Sequence, residues 1–374
     1  MSLRQIFPGG IVKPGFNPLA AQTTTAEATL FSWGTNGNGQ LGLGNTTNYS
    51  SPIQVGSLTT WSVIVGGGLH TIATKTDGTL WTWGSGAQGQ LGLGNTTSYS
   101  SPKQIGALTA WYKIAGGLRF TIATKTDGTL WAWGANVYGN LGLGNTTAYS
   151  SPKQIGALTN WLAIACGSYH SISVKTDGTL WSWGRNNSGQ LGLGNRTDYS
   201  SPKQVGALTA WASVACKANF TIATKTDGTF WAWGDNAYGN LGLGNATYYS
   251  SPKQVGSLTT WSTIAAGYSF AMSQKTDGTL WMWGQNNFGQ LGLGNTTSYS
   301  SPKQIGALTT WYKVADGWYH TIATKTDGTL WAWGYNNAGQ LGLGNITNYS
   351  SPKQVGSLTT WLSIAGGNYF TLAT

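Results

Sequence analysis

The feature that most constrains this chain is its period. Trp-Gly recurs at Trp33-Gly34, Trp83-Gly84, Trp133-Gly134, Trp183-Gly184, Trp233-Gly234, Trp283-Gly284 and Trp333-Gly334, always 50 residues apart. Residues 25–374 are therefore seven repeats of 50 with no insertion and no deletion. A period of this size belongs to solenoids, propellers or arrays, in which no unit buries its apolar face alone. It overrides the two or three domains that 374 residues would otherwise suggest. Charged residues are only 8% of the chain and Gly is abundant, yet 21 Trp and 17 Tyr supply too much apolar surface for disorder.

Three strands are predicted in each repeat, for example WYKIA at 111–115, FTIATK at 120–125 and GTLWAW at 128–133, with a shorter fourth near 102–105. Thr-Asp-Gly joins the second to the third, because Asp-Gly tolerates the positive φ of a tight hairpin. Alternation puts Trp131 and Trp133 on one face of the third strand and Leu130 and Ala132 on the other. Strands of this kind suit sheets stacked around a ring, which makes the chain an all-β, seven-bladed propeller. Residues 27–34 carry a third strand without its partner, and Phe370–Thr374 a second strand without its hairpin. The two should pair into a composite closing blade. An open solenoid would need polar capping repeats, and none is present.

Residues 1–24 lie outside the repeat. Pro8, Pro14 and Pro18 oppose a long helix, while Ile6, Phe7, Ile11, Val12, Phe16 and Leu19 are apolar with no repeat core to join. An extended N-terminal docking arm is the reading favoured over a frayed tail.

The elements LWAWGxNxxGQLGLG and IAxGxxHTIATKTDG resemble the repeat of the regulator of chromosome condensation family across 25–374. The wording LGLGNTTxYSSPKQ is most similar to bacterial and bacteriophage members and, more loosely, to a secreted bacterial β-lactamase inhibitor protein. The resemblance implies a seven-bladed propeller with a composite blade. The founding member promotes nucleotide exchange through an inserted β-wedge and binds chromatin through a basic tail. The uniform interval here leaves no room for a wedge, and residues 1–24 carry only Arg4 and Lys13 as basic side chains. Neither activity is expected to carry over.

Catalytic constellations are sparse. Of the nine Asp, six (Asp77, Asp127, Asp177, Asp227, Asp277 and Asp327) are hairpin residues, and Glu27 is the single Glu. His70, His170 and His320 occupy the repeat position where Phe120, Phe220, Phe270 and Phe370 stand, which marks a packing position rather than a base or ligand. The Gly-Leu-Gly runs precede no helix and are turns, not phosphate cradles. Asn45 and its six equivalents in Asn-x-Thr are likewise read as turn residues. No catalytic residue, metal ligand or cofactor site is assigned.

The formal charge is +10, and Lys103, Lys153, Lys203, Lys253, Lys303 and Lys353 place six positive charges around the ring. That is a solubilising collar, not the dense stripe of a nucleic-acid protein. Cys166 and Cys216 hold equivalent positions and read as small buried thiols. No membrane span or signal peptide is read from the sequence.

Two stretches change freely between copies. One follows Trp-Gly: Thr35, Ser85, Ala135, Arg185, Asp235, Gln285 and Tyr335, then Asn38, Gln88, Tyr138, Ser188, Tyr238, Phe288 and Ala338. The other joins the first two strands and contains Arg119, Tyr169, Lys217, Tyr268, Asp316, Trp318, Tyr319 and Tyr369. In an antiparallel meander these two loops share one end of the blade. Their richness in Tyr, Trp and Arg resembles a recognition surface more than drift in free loops. The candidate binding residues are thus Arg119, Tyr138, Tyr169, Arg185, Lys217, Asp235, Tyr238, Tyr268, Phe288, Asp316, Trp318, Tyr319, Tyr335 and Tyr369.

The expectation is a non-enzymatic binding module. It is read as a tail- or capsid-attached bacteriophage virion protein, assembled in the host cytoplasm and joined to other virion proteins through residues 1–24. Its variable rim would contact a host surface glycan or protein. A purely structural decorating protein, or a soluble bacterial inhibitor or exchange-factor-like propeller, are the alternatives.

Overall fold

The computed structural model describes residues 28–374, and the proposed arm side chains from Ile6 to Leu19 lie outside them. Seven four-stranded antiparallel sheets are arranged as the blades of a propeller. The first blade is built from Trp61–Gly66, His70–Lys75, Leu80–Gly84 and Tyr99–Gln104, and five more follow at 50-residue steps. The strands opening at Trp61 and its equivalents face one another around the axis, so they are innermost, and those opening at Tyr99 and its equivalents form the outer edge.

The composite blade is present. Its inner strands are Ile364–Gly366 and Phe370–Ala373, and its outer strands are Phe31–Gly34 and Tyr49–Gln54. Phe31 pairs with Ala373 and Gly34 with Phe370, so the two ends of the propeller close within one sheet.

The outer strand begins earlier than its composition suggests, at Tyr99 and not near Pro102. Pro102 is tolerated because this strand is an edge and its ladder with the third strand slips between Thr82 and Gly84. The third strand opens two residues later than expected, at Leu130, since Gly128 is held in the hairpin at φ +78°.

Both faces of every blade are buried against neighbours, giving one apolar cluster per interface. Trp133, for instance, packs with Ile72 and Leu80 of the preceding blade. Its indole Nε1–H donates to the Gln90 carbonyl at 3.0 Å. The loop GQLGLG, or GNLGLG in two copies, supplies this contact in every blade. Gly92 has φ +72°, and a Cβ there would lie 2.7 Å from the Trp133 Nε1. The closing joint repeats the pattern, with Trp33 Nε1–H donating to the Gln340 carbonyl at 2.9 Å. Asn45 and its equivalents do act as turn residues: Asn95 Oδ1 accepts the Thr97 amide at 3.0 Å.

Candidate recognition surface

The two variable loops meet at one end of the ring in all seven blades. The Ser85 amide donates to the Leu69 carbonyl at 2.9 Å, and Thr35, Ala135, Arg185, Asp235, Gln285 and Tyr335 do the same with Tyr369, Arg119, Tyr169, Asn219, Ser269 and Tyr319. The Thr-Asp-Gly hairpins lie at the other end. Ala28 occupies the place held elsewhere by the hairpin Gly and bridges to Trp61, so the described chain enters the ring at the hairpin end.

Most of the aromatic candidates gather on one arc of the variable rim. Tyr268 and Phe288 of the fifth blade, Trp318, Tyr319 and Tyr335 of the sixth, and Tyr369 of the composite blade form a continuous patch. Tyr319 is its hub, with ring centroids 5.3 Å from Tyr268, 5.4 Å from Phe288, and 6.3 Å from each of Trp318, Tyr335 and Tyr369. Trp318 lies 5.0 Å from Tyr268 and 5.5 Å from Tyr369. This mixture of edge-to-face and tilted contacts holds the rings against one another. Burial among these rings pushes the Tyr319 hydroxyl up to about 12, and the Tyr369 hydroxyl upward as well.

Twenty of the 21 tryptophans occupy three repeat positions, and Trp318 is the one that does not. Ten of the 17 tyrosines stand off the repeat, and eight of those are on this rim. Aromatics outside the architectural positions are therefore concentrated at one mouth.

A second, smaller group lies on another arc. Tyr138 and Tyr169 meet at 5.3 Å, and the Arg185 guanidinium sits 4.9 Å from the Tyr138 ring and 5.8 Å from the Tyr169 ring. Arg119 and Tyr238 are exposed, and Tyr238 stands on the Tyr319 side, close enough to help raise that hydroxyl. Asp235 bonds to Tyr248, whose hydroxyl is raised by burial and by that carboxylate, with Arg196 opposing the shift. Tyr248 and Arg196 were missed by the sequence reading. The signal was available in the same inter-copy comparison, because Arg196 stands where four copies have Thr, and Tyr248 where Asn, Ser, Ala or Asp otherwise stand.

Lys217 and Asp316 are placed differently. They form an ion pair at 3.1 Å at the axial mouth, with side chains only 18% and 13% exposed. Burial raises the Asp316 carboxyl, and Lys217 offsets part of that shift. Around this mouth the inner loops are linked blade to blade by backbone bonds: Gly68 to Gly117, Leu118 to Ser168, Ser168 to Ala218, Tyr268 to Trp318, Trp318 to Asn368, and Asn368 to Gly68. The missing link is at Ala218, where φ is +42° and Lys217 replaces the Gly of the other six copies. The space left on the axis is about 10 Å³, room for no more than a water.

The histidines are core residues. His70, His170 and His320 are fully buried, with Nε2 3.0, 3.1 and 3.0 Å from the hydroxyls of Thr121, Thr221 and Thr371 on the next blade. Each hydroxyl already donates to a backbone carbonyl, of Gln90, Gln190 or Gln340, so each histidine carries its proton on Nε2. Burial depresses their pKa to about 3. Cys166 and Cys216 are free and buried. Among the described residues no cluster of three or more His, Cys, Asp or Glu could hold a metal, and no helix is long and apolar enough to cross a membrane.

The described residues form a closed seven-bladed ring whose copies diverge at one mouth, the architecture of a β-propeller. The sequence profile described as the RCC1-like domain matches residues 15–273, and that of the regulator of chromosome condensation (RCC1) repeat matches 277–324 and 327–374. The chain belongs to the RCC1-like domain family. No match was found among curated protein sequences. Among solved structures it is similar to Prp20p of Saccharomyces cerevisiae, studied for binding to Gsp1p and histones, with TM-score 0.84, 20% identity, and coverage of 94% of this chain and 92% of that one. Human WBSCR16 is similar at TM-score 0.83 and 20% identity, over 92% and 98% of the two chains. Yeast RCC1 (Prp20) in complex with Kap60 is similar at TM-score 0.84 and 19% identity, over 99% and 96%. Likeness at these identities is likeness of fold.

Proposed function

We propose that this chain is a non-enzymatic recognition module that holds a macromolecular partner on its variable rim. The carrying observation is the six-ring patch around Tyr319, which includes the one tryptophan outside the repeat architecture. A pre-packed aromatic cluster flanked by separated charges is the composition of an energetic hot spot. Prp20p, with the same fold, is described as binding Gsp1p and histones, which favours a folded partner on a propeller of this type.

The partner in this reading is a host surface protein or glycan, and the carrier is a bacteriophage particle. Chain entry at the hairpin end supports that arrangement, because residues 1–24 would then anchor one end while the rim faces outward. Binding of the full chain to host cells tests it. Trp318→Ala with Tyr319→Ala should weaken binding by about 100-fold, the effect of losing one to two hot-spot residues. Undiminished binding by a variant with an unchanged melting temperature would remove the rim from the function.

A further inference from the structure

Away from the variable rim, a groove of about 470 Å³ lies between the fourth and fifth blades, toward the hairpin end. Its walls include the indoles of Trp261 and Trp281, the Lys275 ammonium, Leu258, Gln254 and Ser301. The volume falls in the range of small-ligand sites, and apolar walls with a few fixed polar groups are their usual composition. Trp281 is half-buried, and its Nε1–H is tied to Thr279 Oγ1 at 2.9 Å, which fixes the ring. Leu258 is 48% exposed at the edge.

Lys275 Nζ lies 3.8 Å from the centroid of Trp281 and 5.1 Å from that of Trp261. No carboxylate lines the groove. The nearest acid, Asp277, is occupied by the Thr279 amide and hydroxyl at 2.9 and 2.6 Å. Among the described residues the one ion pair is Lys217–Asp316, far from here. The groove thus presents a cation that forms no salt bridge, its field shared only at longer range with Asp277, beside an apolar ring. Nothing in the architecture requires that combination.

The combination recurs. Lys75, Lys125, Lys175, Lys225 and Lys325 stand 3.7, 3.8, 3.8, 4.2 and 3.7 Å over Trp81, Trp131, Trp181, Trp231 and Trp331. Burial lowers the pKa of Lys75 and Lys175, the mark of ammoniums partly stripped of water. The seventh interface differs, because the composite blade has Phe31 at the tryptophan position and no lysine. The ring therefore carries six lysine–tryptophan pairs, of which Lys125 and Lys175 are the more deeply buried and the other four partly exposed.

We propose that these six grooves bind acidic pyranose residues of a polyanionic glycan, one carboxylate-bearing sugar per groove. The sugar carboxylate takes the lysine ammonium, its C–H face lies on the indole, and Gln254 and Ser301 serve its hydroxyls. Drawing the ammonium off the indole sacrifices only a weak cation–π contact. A nucleobase would also stack on the indole. However, the aliphatic flank and the single cation per blade suit a compact charged sugar better than a phosphate chain, which rewards a dense basic stripe.

Calorimetric titration of the full chain with digalacturonate tests this. A stoichiometry near six is expected, falling to five in Lys275→Gln and to none when all six lysines are Gln. Polygalacturonate should bind at least about 100-fold tighter through avidity. Trp318→Ala with Tyr319→Ala should leave the stoichiometry unchanged, which separates this site from the rim. Absence of binding, indifference to the lysine variants, equal binding of uncharged maltose, or binding of a single-stranded oligothymidylate but not of the uronate would each overturn the proposal.

Discussion

At the scale of the residue, the three histidines show how a reactive side chain becomes architecture. Each donates its Nε2 proton to a threonine that is itself bonded to a carbonyl, and each is held neutral by burial. The folded pKa of about 3 lies below the ordinary 6.5, so the unfolded chain binds more protons between those values. Stability is therefore complete above pH 6.5 and is lost as pH falls toward 3. By pH 5 the loss is about 2 kcal/mol per histidine. The hairpin aspartates, whose pKa is lowered from the ordinary 3.8 by bonds to the neighbouring threonine, lose their contribution only below about pH 5, outside the interval from pH 7 to pH 5. Urea midpoints at pH 7 and pH 5 should drop for the parent chain. They should stay nearly level for His70→Phe, His170→Phe, His320→Phe, since Phe fills the same place in the other four copies. An equal drop in both would mean the histidines are not the acid-sensitive groups.

At the scale of the element, the loop at Lys217 stands out. Lysine in place of glycine gives a seven-residue strand, Trp211–Lys217, and places Ala218 at positive φ. Its ammonium compensates Asp316 across two blades. Lys217→Gly should leave a buried carboxylate without its partner and cost about 3 kcal/mol. Lys217→Gly with Asp316→Gly should recover most of it, because glycine serves at both positions in other copies. A double-mutant cycle by chemical denaturation reads the coupling directly. Additive losses would show that the pair does not act as one.

Elements with a period were legible in the sequence. The Asp-Gly hairpins, the alternating third strand and the closing pair Phe31–Gly34 with Phe370–Ala373 follow from local chemistry repeated seven times. The outer strand was placed late because Pro102 is a poor strand residue and its edge position is a tertiary fact. The site was legible as a mouth but not as arcs. Nothing local distinguishes Tyr319, the centre of six packed rings, from Tyr238, which is exposed at the edge of the patch and packs against none of its rings. Nor does Asp316 read as an axial residue until a lysine from two blades earlier reaches it.

At the scale of the whole molecule, closure depends on one short strand near each end of the described chain. Removing residues 1–24 should leave the melting temperature within a few degrees of the parent, because every closing pair begins at Phe31. Removing residues 1–34 should lower it steeply, since Phe370–Ala373 loses its ladder and Gln340 its Trp33 partner. Differential scanning calorimetry distinguishes the two, and collapse of the shorter deletion would assign residues 1–24 to the core.

A wheel of seven interchangeable sectors would let a guest settle at any of seven headings. The interrupted link at Ala218 and the crowding of rings onto one arc remove that degeneracy. A guest held on this hub would have a single heading, and whatever it carried would be aimed in a direction that the wheel sets.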